Sequence, residues 1–316
     1  MDSREGLSRL YKNVSSVILG KKEPVLLSIV SMLCRGHLLI EDVPGVGKTM
    51  LARALAMSVS AEFKRVQCTP DMLPSDVTGV SIYNQKTTEF EFRPGPIFTN
   101  ILLADEINRA TPRTQSSLLE CMAEEQATIE GCTYPMQDVF MIIATQNPVE
   151  FAGTYPLPEA QLDRFFMRIN LGYPALGDEI QIMTAQREHH PIESLQAVLD
   201  KATLLALQKQ VAQVTVAADV QRYIAEIVQA TRSHPELELG ASPRGSLALM
   251  RASQAVALVA GKNYVEPQMV KQVAGPVLAH RLITRSRAQS QGKTAETVVA
   301  GILGQVKVPV AAVAAG

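Results

Sequence analysis

Short, uninterrupted apolar runs alternate with helix-like patterns through the first half of the chain. His37–Glu41, Phe63–Cys68, Ile101–Ala104, Val139–Thr145 and Phe166–Leu171 read as buried strands. Strands that are apolar on both faces and separated by helices indicate a parallel sheet in an α/β layer fold. Helices are expected over Lys21–Cys34, Gly47–Ser60 and Pro112–Glu125. In the last, Thr111 is placed to cap and Pro112 suits the first turn. Two intervals read as β-hairpins: Val80–Phe98, with Lys86-Thr87-Thr88 at the turn, and Ala127–Met136, with Gly131 at the turn.

The pattern changes near Gly172-Tyr173-Pro174, beyond which no strand is legible. Val220, Tyr223, Ile224, Ile227 and Val228 form one apolar helical stripe. Asp178–Glu188, Asp200–Val211, Pro243–Ala260 and Glu266–Ile283 also read as helical. The expected organisation is an α/β domain over 1–173 and an all-α domain over 174–316. The tail Val308–Gly316, rich in small residues, reads as loosely ordered.

Composition narrows the function. A chain of 316 residues suits two domains. Its 30 Lys+Arg against 31 Asp+Glu leave a net charge of −1, which excludes a protein that coats nucleic acid by bulk charge. With 47% hydrophobic residues it is not a disordered chain. The longest uncharged runs, Pro24–Cys34 and Val139–Val149, are far shorter than the roughly 18 residues of a membrane span. The scattered charges of the N-terminus are not those of a secretion signal. Cys34, Cys68, Cys121 and Cys132 form no CxxC pair, so neither a disulfide framework nor a zinc site is expected, which fits a reducing cytoplasm.

The chemistry begins at Asp42-Val43-Pro44-Gly45-Val46-Gly47-Lys48-Thr49, close to the GxxxxGK[ST] phosphate loop. An apolar strand precedes it and a helical pattern follows. A strand must end, backbone N–H groups must wrap a phosphate, and a helix must start with its dipole facing the anion. Gly45 and Gly47 let the backbone approach, Lys48 would reach the β- and γ-phosphates, and Thr49 would hold Mg²⁺. Asp42 replaces the first Gly, and its carboxylate is tolerable there only if it points away or finds a cation. Ile101–Ala104 then runs into Asp105-Glu106, which places two acids at the carboxyl edge of the sheet. Asp105 would support Mg²⁺ and Glu106 would polarise the attacking water. Asn147, after the strand Val139–Thr145, could orient that water, or simply begin a turn.

Two arginines are out of place. Arg244 follows Ser242-Pro243 in the first turn of a helix, where a cation opposes the dipole. Ser242 reads as its cap. Arg164, in Leu157–Phe166, falls between a short helix and a strand, where it could reach a neighbouring subunit's γ-phosphate; Arg168 is the substitute. Arg109 and Arg113 read as surface ion-pairing residues.

Glu41–Thr49, Leu102–Ala110, Ala144–Pro148, Leu157–Phe165 and Gly240–Gly245, taken together, resemble the MoxR group of AAA+ ATPases over roughly residues 5–285. The resemblance implies an AAA+ P-loop parallel sheet flanked by helices and a smaller all-α lid. Asp42 is usual in that group. Lys48 and Thr49 then correspond to Walker A, with Pro44, Gly45, Val46, Gly47 and Met50 around the nucleotide. Asp105 and Glu106 correspond to Walker B, Asn147 to sensor 1, Arg164 to an arginine finger acting in trans, and Arg244 to sensor 2. The segment holding Ile18 and Gly20 resembles the part that receives adenine. The two hairpins match inserts that face a ring pore. The group implies Mg-dependent ATP hydrolysis and rings, commonly hexamers. It also implies partners with von Willebrand factor A-type domains, and roles in maturing enzymes, inserting metals or cofactors, or assembling complexes. A P-loop small-molecule kinase and a DNA-associated AAA+ motor are the alternatives. The second rests on the basic stretch His280-Arg281 to Arg285 and Arg287.

Overall fold

The computed structural model describes residues 3–148, 153–187 and 190–309. The chain divides into two compact units, Met1–Leu207 and Gln208–Gly316.

The first unit opens with α1 (Ser3–Val17) and α2 (Lys22–Leu33), then β1 (Leu38–Glu41), α3 (Lys48–Ser58), β2 (Phe63–Gln67) and α4 (Pro74–Thr78). The hairpin β3 (Gly79–Asn84) and β4 (Glu89–Pro94) leads to β5 (Ile101–Asp105) and α5 (Pro112–Glu124). A second hairpin, β6 (Gln126–Ile129) and β7 (Cys132–Pro135), precedes β8 (Met141–Gln146), α6 (Glu159–Leu162), β9 (Met167–Ile169) and α7 (Leu176–Ala185). α8 (Lys201–Val211) crosses into the second unit.

One five-stranded sheet, ordered β2-β5-β8-β1-β9, carries the first unit, and every pairing in it is parallel. β5 is buried throughout and β8 nearly so, as expected of strands covered on both faces. Both hairpins are antiparallel, and Gly131 turns the second with φ +82°. Phe92 of the first stacks on Tyr134 of the second with ring centroids 4.1 Å apart, which joins the two. Thr111 caps α5 by accepting from the Thr114 N–H at 3.4 Å.

Three features depart from the sequence reading. α1 is a helix the apolar pattern did not assign; Leu7, Leu10 and Val14 lie on its buried stripe. β9 is shorter than Phe166–Leu171, because the N–H groups of Leu171 and Gly172 bond to Asp42 instead of to a strand. The first unit also runs past Pro174. Residues 196–201 are tied to it through Val198 N–H to Ser58 O at 2.9 Å and Asn13 to Gln196 O at 2.9 Å.

The second unit is helical: α9 (Ala218–Arg232), α10 (Pro243–Val259), α11 (Pro267–Leu278), α12 (Ser286–Ser290) and α13 (Ala295–Gln305). One addition was not expected. β10 (Leu237–Leu239) pairs antiparallel with β11 (Ile283–Thr284), so the helix expected to reach Ile283 stops at Leu278. This also disperses the basic stretch. His280 and Arg281 are buried, Arg281 donates to Val277 O, and the exposed Arg285 donates to Leu237 O. Most of the tail expected to be loose, from 310 onward, lies outside the described residues.

His37, at the entry to β1, is buried between elements. Its Nδ1 accepts from the Ile142 N–H at 2.9 Å, which leaves Nε2 to donate to Met122 O at 3.1 Å. Burial holds its pKa at about 4, below the ordinary 6.5. The unfolded chain therefore takes up a proton that the folded chain refuses. Stability should be full above pH 6.5 and fall by about 3 kcal/mol as the pH drops toward 4. Urea unfolding at pH 7 and pH 5 reads about 2 kcal/mol of this loss. His37→Gln keeps a donor and an acceptor but does not titrate, and it should flatten that part of the slope. An unchanged slope would remove His37 as its source.

Candidate nucleotide site

β1 ends at Glu41 and α3 starts at Lys48, so the intervening loop lies at the carboxyl edge of the sheet. Gly45 and Gly47 have φ +85° and +98°, in the left-handed region that favours glycine. A Cβ at either would meet nothing within 4 Å, so the cradle in front of them is open. That openness and the helix N-terminus behind it suit a phosphate chain. Lys48 Nζ donates to the Asp42 backbone oxygen at 2.6 Å. Burial lowers the pKa of Lys48 from its ordinary value, while the carboxylates of Asp105, Asp42 and Glu106 pull the other way.

The Asp42 carboxylate faces away from the cradle. Oδ1 accepts from the Val43 N–H at 2.9 Å, and Oδ2 accepts from those of Leu171 and Gly172 at 2.7 and 2.6 Å. Three backbone donors satisfy a residue that is only 4% exposed. They also bind the phosphate loop to the chain leaving β9.

Strand order explains how distant segments meet. β8 lies between β1 and β5, so its end falls between the loop and the acid pair. Thr145, fully buried in β8, donates from Oγ1 to Asp105 Oδ1 at 2.5 Å and accepts from the Glu106 N–H at 2.9 Å. Glu106 has φ +55°, a left-handed turn that a non-glycine residue adopts at a cost of about 1–2 kcal/mol. The adjacent acids then part. Asp105 Oδ2 accepts from Arg65 Nε and Nη2 at 3.1 and 2.6 Å, and Glu106 pairs with Arg109 at 3.1 Å. Cys68, beside the acids, is held as a thiol with its pKa pushed up to about 12 by burial and by their charge.

One strand further, Gln146 donates to Glu41 Oε1 at 2.8 Å, and Arg168 of β9 pairs with Glu41 Oε2 at 2.9 Å. Asn147 follows directly on β8 at this same edge. Thr49 and Met50 lie in the first turn of α3. Ile18 is buried and Gly20, at φ +72°, turns the chain from α1 into α2. Lys21 anchors that turn to Tyr173 O at 2.6 Å.

Arg164 lies elsewhere. β9 runs parallel to β1 with Met167 opposite Leu38, and the Phe166 N–H bonds to His37 O at 2.8 Å. Arg164 therefore precedes the strand at the amino edge, opposite to the phosphate loop. It is exposed, with Nη1 donating to Leu119 O at 2.6 Å. Arg244 is exposed in the first turn of α10, in the second unit. Ser242 occupies the N-cap position but makes no capping bond, contrary to expectation, because its hydroxyl is buried and has no partner among the described residues.

Sequence reasoning missed Thr145 and Arg65, which lie inside strands that read as structural. The only legible signals were the hydroxyl that ends the apolar run Val139–Thr145 and the adjacent cations Lys64 and Arg65 within Phe63–Cys68. Among the described residues no group of three or more His, Cys, Asp or Glu is arranged to hold a metal, all four cysteines are free, and no helix is long and apolar enough to cross a membrane.

Residues 37–167 match the ATPase family associated with various cellular activities (AAA), and residues 229–302 match the AAA lid domain. The chain is 52% identical over 304 residues to the uncharacterized protein YeaC of Bacillus subtilis, covering 96% of this chain and 95% of that one. It is 40% identical over 312 residues to the chaperone MoxR1 of Mycobacterium tuberculosis, covering 96% and 82%. A crystal structure of a putative ATPase from Cytophaga hutchinsonii superposes with a TM-score of 0.91 at 37% identity, covering 98% and 96%.

Proposed function

Because this chain belongs to the MoxR family of AAA+ ATPases, we propose that it hydrolyses ATP at seams between its own copies and uses the work to mature, assemble or activate partner proteins. In this reading Gly45, Gly47 and Lys48 hold the phosphates, flanked by Pro44, Val46 and Met50, and the turn with Ile18 and Gly20 receives the adenine. Thr49 and Asp105 would hold Mg²⁺, which supplies charge neutralisation on the phosphates. Glu106 accepts a proton from the attacking water, Asn147 orients that water, and Arg244 of the lid reads the γ-phosphate.

The observation that carries the reading is the place of Arg164. At the amino edge of its sheet it cannot serve its own phosphate loop, while Arg168 is already engaged with Glu41 on the loop side. Arg164 is therefore the residue offered to a neighbour. A head-to-tail contact of that kind forms a ring when its rotation closes, and a hexamer is proposed. The relative named a chaperone supports client maturation; action in the cytoplasm, metal or cofactor insertion and a von Willebrand factor A-type partner are proposed from the motif resemblance alone.

The test is Glu106→Gln purified with ATP and Mg²⁺. It should bind ATP, fail to cleave it, and elute as a six-copy ring by light scattering. A chain that stays single under those conditions, at concentrations where the parent hydrolyses ATP, would overturn the seam.

A further inference from the structure

Asp105, the acid assigned above to the cation, already carries a cation of the protein's own. Arg65 forks onto Oδ2 with both Nε and Nη2, and Thr145 takes one site on Oδ1. A carboxylate oxygen offers about two acceptor sites, so Oδ2 is full. The guanidinium is placed there by the sheet. Gln67 stands opposite Asp105 in the β2–β5 register, and Arg65, two residues earlier, shares its face. Gln67 Oε1 accepts from the same Nη2 at 2.7 Å and steadies it. The pair is also asymmetric. The Asp105 side chain is 12% exposed and that of Arg65 is 48% exposed, so the arginine is the partner with room to leave.

We propose that Arg65 is a built-in substitute for the divalent cation: it neutralises Asp105 and gives way on Oδ2 when nucleotide brings its metal to that carboxylate. This rests on the reading of Asp105 as a cation-supporting acid. A guanidinium and a divalent ion on one carboxylate repel each other, so the latch raises the metal concentration at which nucleotide is held. Arg109 on Glu106 gives the second acid a comparable partner, so both acids rest paired.

The experiment titrates Mg²⁺ into the full chain with a fluorescent ATP analogue and reads binding, not turnover. Arg65→Gln should lower the half-saturating Mg²⁺ about tenfold, the scale of a partly exposed repulsion between neighbouring cations. Arg65→Lys keeps the charge but loses the fork, and it should fall between. Analogue binding in EDTA should be equal in all three chains, because the latch acts on the metal alone. A folded Arg65→Gln chain with an unchanged or raised Mg²⁺ requirement overturns the proposal. Where that variant fails to fold by circular dichroism, Arg65→Lys decides: a lowered requirement supports the latch and an unchanged one overturns it. If the parent chain binds no analogue at any Mg²⁺ concentration, the nucleotide reading fails first and the latch with it.

Discussion

Arg164→Ala should bind ATP as the parent chain does and lose roughly 10³–10⁵ of its turnover, the usual worth of an arginine finger. That factor corresponds to about 4–7 kcal/mol of barrier. The expectation follows from topology. The phosphate loop leaves the carboxyl end of β1, while Arg164 precedes the amino end of β9, which lies beside it in parallel register. The substitution leaves every group proposed to hold nucleotide unchanged, so affinity should survive. The decisive measurement mixes two inactive chains. Arg164→Ala supplies an intact loop and Glu106, and Glu106→Gln supplies an intact Arg164. Wherever a Glu106→Gln copy presents its arginine to an Arg164→Ala copy, one complete seam returns. The mixture should therefore regain turnover that neither chain shows alone. Mixed rings without any recovered turnover would show that Arg164 does not act across the seam.

Thr145→Val should leave ATP binding close to that of the parent and reduce hydrolysis about 10²–10³-fold, comparable to deleting one well-placed catalytic hydrogen bond. The two side chains have nearly the same shape, so the change removes a hydroxyl and little else. That hydroxyl touches both acids: it donates to Asp105 Oδ1 and accepts from the Glu106 N–H. Without it, a partly buried N–H loses its partner and the left-handed turn at Glu106 loses its anchor. Thr145 is a positioning residue, since it acts through the acids. Thr145→Ser restores the hydroxyl and should restore most of the rate. A Thr145→Val chain with unimpaired hydrolysis would remove Thr145 from the mechanism, and a serine variant no better than valine would make its contribution one of packing.

Much of the candidate site was legible because phosphate chemistry constrains local sequence. Gly45, Gly47, Lys48 and Thr49 have to be consecutive or nearly so, since one loop and one helix turn must surround one group. Asp105 and Glu106 have to end an apolar strand. What was not legible depends on pairing across the sheet. Arg65 reads only as one residue of the strand Phe63–Cys68 until β2 is placed beside β5. Thr145 reads as a strand residue until β8 is placed between β1 and β5. Asp42 reads as a misplaced charge until the backbone of Leu171 and Gly172 comes to it. The short β10–β11 ribbon was invisible for the same reason, since two or three residues of strand have no period to detect.

The linear order of residues alone determined that this chain builds a parallel α/β layer with a phosphate loop, two acids at a strand end and a helical companion. Those features follow from local periodicity and from contiguous chemistry. Only the folded arrangement decided which cation rests on which acid, where the Asp42 charge is satisfied, and on which edge Arg164 emerges. Each of those depends on strand order and register, which bring together groups tens of residues apart and leave no trace in local spacing.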